Sequence, residues 1–300
     1  TPNILSKYGA GYSSSMFTAL TELGSQKGYD MAAMEKAGLI TRKENGKIFD
    51  RFVNRITFPF YSLSGLVIGF TGRSLEKDTQ CKYLNSPETP LFHKGKTLFG
   101  IYQARQEISK SDKCYLVEGQ FGVLSFVQSG YPNTVCGSGT ALTLDQVRII
   151  KKFTRNVTAV YDGDAAGMKA SVRNMDIMLA EGMNVRAVLL PEGEDPDSFA
   201  RKMGTEKLAK FLKKQETDFI SFIYKAFESE MDDPIRKTEV LRIIAQSISV
   251  VPDKLQRQAY IVSLAERFNA DGELITNLVA ELQAVGKKSV PAQPTQPGLT

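Results

Sequence analysis

Between Cys114 and Leu190 the sequence alternates short apolar runs with stretches of helical periodicity, and this alternation most constrains the fold. The runs Tyr115–Val117, Val157–Tyr161 and Val185–Leu190 are each followed at once by an acidic residue or a proline. Short apolar runs separated by helical patterns are typical of a parallel sheet covered by helices. The sequence therefore predicts an α/β arrangement in this part of the chain.

The intervening segments supply the helices and one more strand. Thr143 precedes apolar positions at helical spacing that continue to Phe153, so we expect it to be an N-cap. The segment Ala165–Ala180 has the same periodicity, and Val123–Val127 is apolar and helix-like. Thr134–Cys136 is predicted to be a further short strand before a glycine-rich turn.

The rest of the chain has different patterns. Two apolar, β-rich runs, Ile56–Phe60 and Leu66–Phe70, are joined by a loop that contains Gly65 and predict a hairpin. The run Lys82–Pro90 contains two prolines and polar turn formers, which predict an irregular basic loop. Beyond about residue 205 strand signals cease and apolar residues recur at helical spacing, which indicates packed helices.

Few side chains are available for histidine or cysteine chemistry. The chain has one histidine, His93, and three cysteines without a C-x-x-C pair, so we expect no zinc site, histidine triad or disulfide framework. Free thiols favour a reducing compartment, and no apolar run approaches the roughly 20 residues of a membrane span. We therefore expect a cytoplasmic protein without a membrane partner, and any metal should be held by carboxylates.

Charge is distributed unevenly along the chain. Residues 42–96 contain ten basic and five acidic side chains, whereas residues 118–197 contain ten acidic and seven basic ones. A basic part followed by an acidic part suits a protein that holds a polyanion beside a divalent-cation site.

Acidic residues follow each of the three predicted strands: Glu118 the first, Asp162 and Asp164 the second, Asp195 and Asp197 the third. The carboxyl ends of parallel strands lie along one edge of a sheet, so these side chains should converge. Two carboxylates about 4 Å apart repel by roughly 4 kcal/mol at an effective dielectric near 20, so such a cluster takes up protons or binds cations. Oxygen ligands without His or Cys select Mg²⁺ or Mn²⁺, a pair of which can support phosphoryl or nucleotidyl transfer.

Glycines accompany two of these acidic groups. We expect Gly163 to adopt a positive φ and Gly119 to allow close approach of the backbone. Each acidic group alone also fits an ordinary structural role, because Asp-Gly-Asp is a common turn and Asp197 is a potential cap or first-turn acid of a helix. The coincidence of three acidic strand ends, rather than any single one, therefore supports the metal hypothesis.

Together with the basic segment, these residues resemble a known family. The three acidic groups look like those of the Toprim domain, which primases, topoisomerases and some nucleases share. Lys82–Thr89 (KYLNSPET) and Phe92–Gly100 (FHKGKTLFG) closely resemble the RNA polymerase core of bacterial DnaG-type primases. The resemblance reaches to about residue 280 and implies an α/β fold (α+β overall). Its parts would be a mixed basic N-terminal subdomain at 1–110, a central Toprim parallel sheet flanked by helices at 111–205, a helical subdomain at 206–284 and a disordered linker or tail at 285–300.

The resemblance also implies an activity and a site. The chain would be a nucleotidyltransferase that makes short RNA primers on single-stranded DNA from ribonucleoside triphosphates during replication. Two or more Mg²⁺ or Mn²⁺ ions would be held by Glu118, Asp162, Asp164, Asp195 and Asp197, of which the first three would be catalytic. The residues that would contact nucleotide phosphates or the template are Arg55, Arg73, Lys82, Asn85, Lys94 and Lys96. Asn85 would either orient the nucleotide or hold its loop, and His93 is expected to be structural.

One residue departs from the family pattern. Members usually have an acidic residue four positions after the glutamate, where this chain has Gly122. Members also carry an N-terminal zinc-binding domain and a C-terminal domain that docks on the replicative helicase, and we expect both to be absent from this chain. The expected form is a nucleoid-associated monomer whose partners are the template and the RNA–DNA hybrid.

Two alternatives stay open. A Toprim-type nuclease or topoisomerase piece would share the acids, although none of the eleven tyrosines is marked out as a topoisomerase nucleophile. A non-catalytic nucleic-acid-binding relic is favoured by Gly122. Metal-dependent RNA synthesis would exclude the relic.

Overall fold

The structure is a computed structural model that describes residues 1–76, 81–139, 141–163 and 168–288. The chain divides into two compact units. The first is formed by Thr1–Gly167 with Arg186–Glu216, and the second by Met168–Val185 with Thr217–Thr300. None of the described helices is long and apolar enough to cross a membrane.

The regular elements are numbered in chain order. The described strands are β1 (Gly11–Ser13), β2 (Ile40–Arg42), β3 (Ile48–Asp50), β4 (Arg55–Tyr61), β5 (Val67–Ser74), β6 (Tyr83–Asn85), β7 (Cys114–Leu116), β8 (Thr134–Val135), β9 (Asn156–Tyr161), β10 (Asn184–Leu189) and β11 (Thr217–Asp218). The described α-helices are α1 (Pro2–Lys7), α2 (Ala19–Gln26), α3 (Met31–Lys36), α4 (Ile101–Ser111), α5 (Gln120–Gln128), α6 (Leu144–Lys151), α7 (Met168–Ala180), α8 (Pro196–Gln215), α9 (Phe219–Ala226), α10 (Pro234–Ser249), α11 (Lys254–Phe268) and α12 (Gly272–Lys288).

The N-terminal part of the first unit contains an antiparallel sheet with strand order β1-β4-β5-β6. The predicted hairpin is confirmed, because β4 and β5 pair antiparallel with Phe58 opposite Thr71. The segment Lys82–Pro90 differs from the irregular loop that the prolines predicted. Tyr83–Asn85 forms the short edge strand β6, which pairs with β5, because the first proline, Pro87, lies beyond it.

A second sheet of the first unit has the order β10-β9-β7-β8. Strand β7 pairs in parallel with β8 and with β9, which confirms the predicted α/β arrangement. The Leu190 N–H, just after β10, donates to the carbonyl oxygen of Tyr161 at the end of β9 (3.0 Å). The carboxyl ends of β9 and β10 therefore meet at one edge of the sheet.

The N-terminus of α6 is closed by a capping box. Thr143 accepts a hydrogen bond from the Gln146 N–H, and the Gln146 side chain accepts one from the Thr143 N–H, both at 3.2 Å. The predicted N-cap is thus confirmed. The helix begins here because two backbone N–H groups that have no partner within the helix each find a side-chain acceptor.

A buried aromatic cluster joins these two sheets, and the first unit also has a two-stranded antiparallel sheet of β2 and β3. Phe58 and Phe60 of β4 contact Phe99 edge-on, with ring centroids 6.2 and 5.7 Å apart, and Phe60 also packs on Phe92 at 4.8 Å. Phe58 further meets Phe121 of α5 at 5.8 Å. Each buried aromatic side chain stabilises the fold by about 1.5–3 kcal/mol. The cluster therefore packs the antiparallel sheet against α5.

The second unit consists mainly of helices. Helix α7 packs against α9 and α10, and α10, α11 and α12 pack against one another. Strand β11 is a short exception to the prediction that strands cease beyond residue 205. Helix α12 continues to Lys288, so the first residues of the predicted tail 285–300 are helical, and residues 289–300 lie outside the described residues.

Candidate active site

The acids that follow β7 and β9 lie at neighbouring strand ends. Glu118 is exposed two residues after β7, and Asp162 is partly buried directly after β9. Since β7 and β9 are hydrogen-bonded in parallel, with Leu116 opposite Ala159, the two residues emerge at the same edge. Asp164 lies outside the described residues.

The two glycines at this edge have the reverse of their expected roles, since Gly119 has the positive φ and Gly163 the close approach. Gly119 adopts φ 73°, and a Cβ built on it would meet nothing within 4 Å, so it serves the left-handed backbone and not a close approach. A Cβ at Gly163 would lie 2.2 Å from the Pro191 carbonyl oxygen. Gly163 is therefore required by the loop after β10 and not by a positive φ.

The acids that follow β10 lie at the start of α8. Asp195 is the N-cap, and its Oδ1 accepts a hydrogen bond from the Ser198 N–H at 2.8 Å. Asp197 lies in the first turn, where its Oδ1 accepts a hydrogen bond from Ser125 Oγ at 2.6 Å and pairs with Arg201 Nε at 3.2 Å. Asp197 thus has the first-turn role that the sequence allowed, whereas the cap is Asp195.

The chemistry of the acids at the strand ends fits a hard divalent cation. Glu118 and Asp162 offer carboxylate oxygens at adjacent strand ends, and oxygen ligands suit Mg²⁺ or Mn²⁺. Among the described residues, which exclude Asp164, no three side chains of His, Cys, Asp or Glu form a group that would hold a metal ion. The five-carboxylate site therefore stays a prediction.

Arg73 contacts two aromatic rings. Its guanidinium carbon is 4.2 Å from the ring centroid of Phe121 and 5.7 Å from that of Tyr83, and the two rings meet edge-on at 6.0 Å. The pKa of Tyr83 is raised, first by burial and then by Asp197 and Asp195, against the opposing effect of Arg73. Phe121 belongs to α5, whose Ser125 donates to Asp197, so Arg73 and the acidic first turn of α8 both contact this helix.

Of three other predicted contact residues, Lys82 and Asn85 lie beside or on β6, and Arg55 at the start of β4 donates from Nη1 to the Lys82 carbonyl oxygen at 3.4 Å. Arg55 Nη1 is 3.3 Å from the Gly72 carbonyl oxygen, to which it donates, and Lys82 is exposed. Asn85 Nδ2 donates to the Ser138 carbonyl oxygen at 2.7 Å. Of the two roles expected for Asn85, this bond supports holding the loop.

The last two basic residues lie in a tightly held 3-10 turn, Lys94–Lys96. The Lys94 carbonyl oxygen accepts hydrogen bonds from Ser138 Oγ (2.6 Å) and from Gln146 Nε2 (2.9 Å), both buried. Glu88 accepts one from the Lys94 N–H at 2.9 Å and pairs with His93 Nδ1 at 3.1 Å. These bonds fix the backbone of the turn, and the contact with Glu88 fits the structural role expected of His93.

Sequence reasoning missed several side chains of this site. Tyr83 was present only as a letter of a motif and Phe121 was not singled out, although both rings contact Arg73. Ser125 and Arg201, which hold Asp197, each lie on a helix at a position whose neighbours only the packing reveals. For Arg201 a signal existed, because it follows Asp197 at the i,i+4 spacing of helical ion pairs.

Three family models match consecutive segments of the chain. They are the N-terminal domain of the DNA primase catalytic core at residues 1–105, a Toprim-like domain at 115–200 and the DnaB-helicase binding domain of primase at 228–273. The expectation that the helicase-docking segment is absent is therefore wrong. The matched segment covers α10, α11 and the start of α12, whose periodicity indicated packed helices but carried no sign of a partner.

Individual relatives agree with the family models. The DNA primase of Staphylococcus epidermidis is 35% identical over 252 residues, which are 83% of this chain and 42% of that protein. This chain thus spans less than half of that relative's length. The crystal structure of a DNA primase domain from Pseudomonas aeruginosa is 32% identical, with a TM-score of 0.81 over 93% of this chain and 88% of that one. A DnaG primase catalytic domain bound to single-stranded DNA is 28% identical, with a TM-score of 0.80, over 91% and 87% of the two chains.

Proposed function

The chain belongs to the DnaG-type family of bacterial DNA primases, and on that premise we propose that it is a catalytic core that copies single-stranded DNA into short RNA primers. The observation that carries the proposal is that helix α5 contacts both partners: Phe121 lies against Arg73, and Ser125 one turn later donates to Asp197 in the acidic first turn of α8. A nucleotidyl transfer needs cationic groups for phosphates beside carboxylates for metal ions, and this corner of the first unit supplies both.

We assign the divalent-cation site to the acids of the strand ends and of α8, namely Glu118, Asp162, Asp164, Asp195 and Asp197. Family membership implies divalent metal use, and the choice of Mg²⁺ or Mn²⁺ and a count of two or more belong to this proposal. Such ions, when bound, would activate the 3′-hydroxyl of the primer and neutralise the departing pyrophosphate. The shared edge at which β7 and β9 end supports this role for Glu118 and Asp162.

The basic residues of the first unit would hold the phosphates of the incoming ribonucleotide, the template and the RNA–DNA hybrid. They are Arg55, Arg73, Lys82, Lys94 and Lys96, with Asn85 holding the loop beside them. Charge-assisted hydrogen bonds to phosphate are short and strong, and release of counterions adds to the affinity. The rigid backbone of the Lys94–Lys96 turn would keep two of these cations in place.

The match at residues 228–273 supports a further part of the proposal. We assign to these residues of the second unit a contact with the replicative helicase. A primase that acts at a replication fork would work in the bacterial cytoplasm, at the nucleoid, and we propose that location and a monomeric core for this chain.

The test is template-dependent RNA synthesis by the purified chain with single-stranded DNA, labelled ribonucleotides and either Mg²⁺ or Mn²⁺. Asp162→Ala should lower the rate at least about a hundredfold, since loss of a metal ligand removes several kcal/mol of transition-state stabilisation. DNA binding should survive. Glu192→Ala, which removes an exposed acid after β10, is the control and should behave as the parent.

Three other outcomes would contradict the proposal, each in a different way. Full synthesis by Asp162→Ala would overturn the metal assignment. Shortened DNA in place of an RNA product would indicate the Toprim-type nuclease. Salt-sensitive DNA binding without turnover by the parent, with either metal, would indicate the non-catalytic relic.

A further inference from the structure

Helix α5 and the first turn of α8 approach each other closely at Gly122. A Cβ built on Gly122 would lie 3.0 Å from the Cβ of Pro196 and 3.3 Å from Cγ2 of Val117, so even an alanine would need its neighbours to shift. The residue that departs from the family pattern therefore lies at a close contact between the two helices. A larger side chain here would move the start of α8 outward.

This close approach brings Ser125 to Asp197. Ser125 follows Gly122 by three residues and so lies on the same face of α5, one turn later. Its hydroxyl donates to Asp197 Oδ1 at 2.6 Å, and only 16% of the Asp197 side chain is exposed. The other group on this oxygen is Arg201 Nε at 3.2 Å, from a side chain that is 65% exposed.

The two partners of Asp197 differ in rigidity. A salt bridge to an exposed arginine contributes little to holding a carboxylate in one rotamer, because the long side chain keeps its freedom in water. A short hydrogen bond from a serine in a packed helix costs little entropy, since that hydroxyl is already in place. Ser125 is therefore the group that sets the direction of the Asp197 carboxylate.

We propose that Ser125 is a positioning residue that orients Asp197 toward a divalent cation, in a chain where Gly122 replaces the family's usual acid. The inference rests on the proposed function, because it takes Asp197 as part of the cation site. Groups that hydrogen-bond to metal ligands fix their orientation, and their removal typically weakens metal affinity 10–100-fold. On α5 the polar side chain near this region is therefore Ser125, one turn after the position where family members usually have the acid.

The test is the affinity of the full chain for Mn²⁺, measured without nucleotide by electron paramagnetic resonance of free Mn²⁺. Ser125→Ala should weaken the affinity about tenfold, and Asp197→Asn at least as much. Ser125→Thr keeps the hydroxyl and should bind Mn²⁺ within about twofold of the parent. Ser129→Ala removes a buried serine at the end of the same helix and serves as the matched control.

The variants distinguish the assignment of Asp197 to the cation site from the positioning role of Ser125. Parent-like affinity of Asp197→Asn would overturn the assignment of Asp197 to the cation site, and this proposal with it. Weak binding by Asp197→Asn with parent-like binding by Ser125→Ala would overturn only the positioning role. Equal losses in Ser125→Thr and Ser125→Ala would attribute the effect to packing and overturn it as well. Circular dichroism melting curves establish that every variant compared is folded at the temperature of the measurement.

Discussion

At the scale of single residues, the most informative contact is that of Arg73 with Phe121. A guanidinium over an aromatic face gains roughly 0.5–2 kcal/mol, depending on how far it is desolvated. The ring of Phe121 lies 4.2 Å from the guanidinium carbon and also packs edge-on against Phe58 in the core. Phe121 thus couples a proposed phosphate-binding cation to the buried aromatic cluster.

Phe121→Leu should keep the packing against Phe58 and remove the aromatic face from Arg73. We expect the KM for ribonucleotides to rise several-fold, because about 1 kcal/mol of cation–π attraction that orients Arg73 is lost. Steady-state primer synthesis measures it. Phe126→Leu, on the same helix but in contact with Tyr115 and Tyr131, is the control and should leave the KM unchanged. Equal changes in both variants would contradict the role of the Arg73 contact.

A second prediction concerns a buried acid in the second unit. Burial raises the pKa of Asp176 of α7, and a hydrogen bond with Ser247 only partly opposes this effect. An acid whose pKa is higher in the folded state binds more protons there, so stability falls as pH rises above its ordinary value near 3.8. That loss is complete once the pH exceeds the raised pKa.

Asp176→Asn removes this loss, so its free energy of unfolding relative to the parent should increase from pH 4 towards neutrality and then level off. Urea denaturation of both proteins at a series of pH values measures it. Asp232→Asn changes an exposed acid of the same unit and is the control. If the free energies of unfolding of Asp176→Asn and the parent differ by the same amount at every pH, this explanation is wrong.

At the scale of elements, the N-terminus of α6 serves a turn that is distant in sequence. Gln146 is fully buried, and its Nε2 donates to the carbonyl oxygens of Lys94 and Thr97, each at 2.9 Å. Its Oε1 completes the capping box with Thr143, whose hydroxyl donates to the Gly95 carbonyl oxygen at 2.5 Å. One helix end therefore organises its own backbone and that of the basic turn.

Gln146→Leu would leave both carbonyl oxygens without this buried donor. Each buried group left unsatisfied costs about 1–3 kcal/mol, so the variant should unfold at lower urea and bind single-stranded DNA more weakly. Urea titration and fluorescence anisotropy measure the two effects. Gln106→Leu, at an exposed position of α4, is the control for added apolar surface. Unchanged DNA binding in a destabilised Gln146→Leu would separate the turn from the nucleic-acid site.

Elements whose signals are local were predictable from the sequence. The β4–β5 hairpin and the Thr143 cap follow from patterns within a dozen residues, and the structure has both. Strand β6 was not predicted, because its pairing with β5 depends on where the chain returns after residues 75–82. The roles of Gly119 and Gly163 were exchanged for the same reason, since the clash at Gly163 comes from Pro191, 28 residues away.

The candidate site was predictable as a set of residue types but not as a set of contacts. The order of acidic strand ends indicated which carboxylates share an edge. That Asp195 caps α8, and that Asp197 accepts from Ser125 on α5, depends on how two helices pack. Helical periodicity identifies a face, and it does not identify the side chain that meets that face.

At the scale of the whole molecule, sequence segments and compact units do not coincide. Helix α7 lies inside the Toprim-like match at 115–200, but it packs against α9 and α10 in the second unit. The helicase-binding match at 228–273 covers α10 and so belongs to a unit completed by a helix from the middle of the chain. A contact made by this second unit would therefore act on a body that includes α7, a helix that belongs in sequence to the Toprim-like segment.

The charge asymmetry of the chain leads to a prediction for DNA binding by the whole protein. Each phosphate neutralised on a single strand contributes about −0.7 to the slope of log affinity against log salt concentration. If Lys94 and Lys96 each neutralise one phosphate, the double variant Lys94→Ala/Lys96→Ala should have a slope shallower than the parent by about 1.4. Fluorescence anisotropy of a labelled oligonucleotide across a series of NaCl concentrations measures both slopes.

The matched control is Lys36→Ala/Lys110→Ala, which removes the same net charge from two exposed positions outside the predicted contact set. Its slope should stay close to that of the parent, because a lysine that neutralises no phosphate releases no counterion from the strand. Equal shifts in the two double variants would mean that the strand responds to total charge and not to the turn. A shift confined to Lys94→Ala/Lys96→Ala places the strand against the turn that Ser138 and Gln146 hold, and so links the rigidity of that turn to the affinity of the protein for its template.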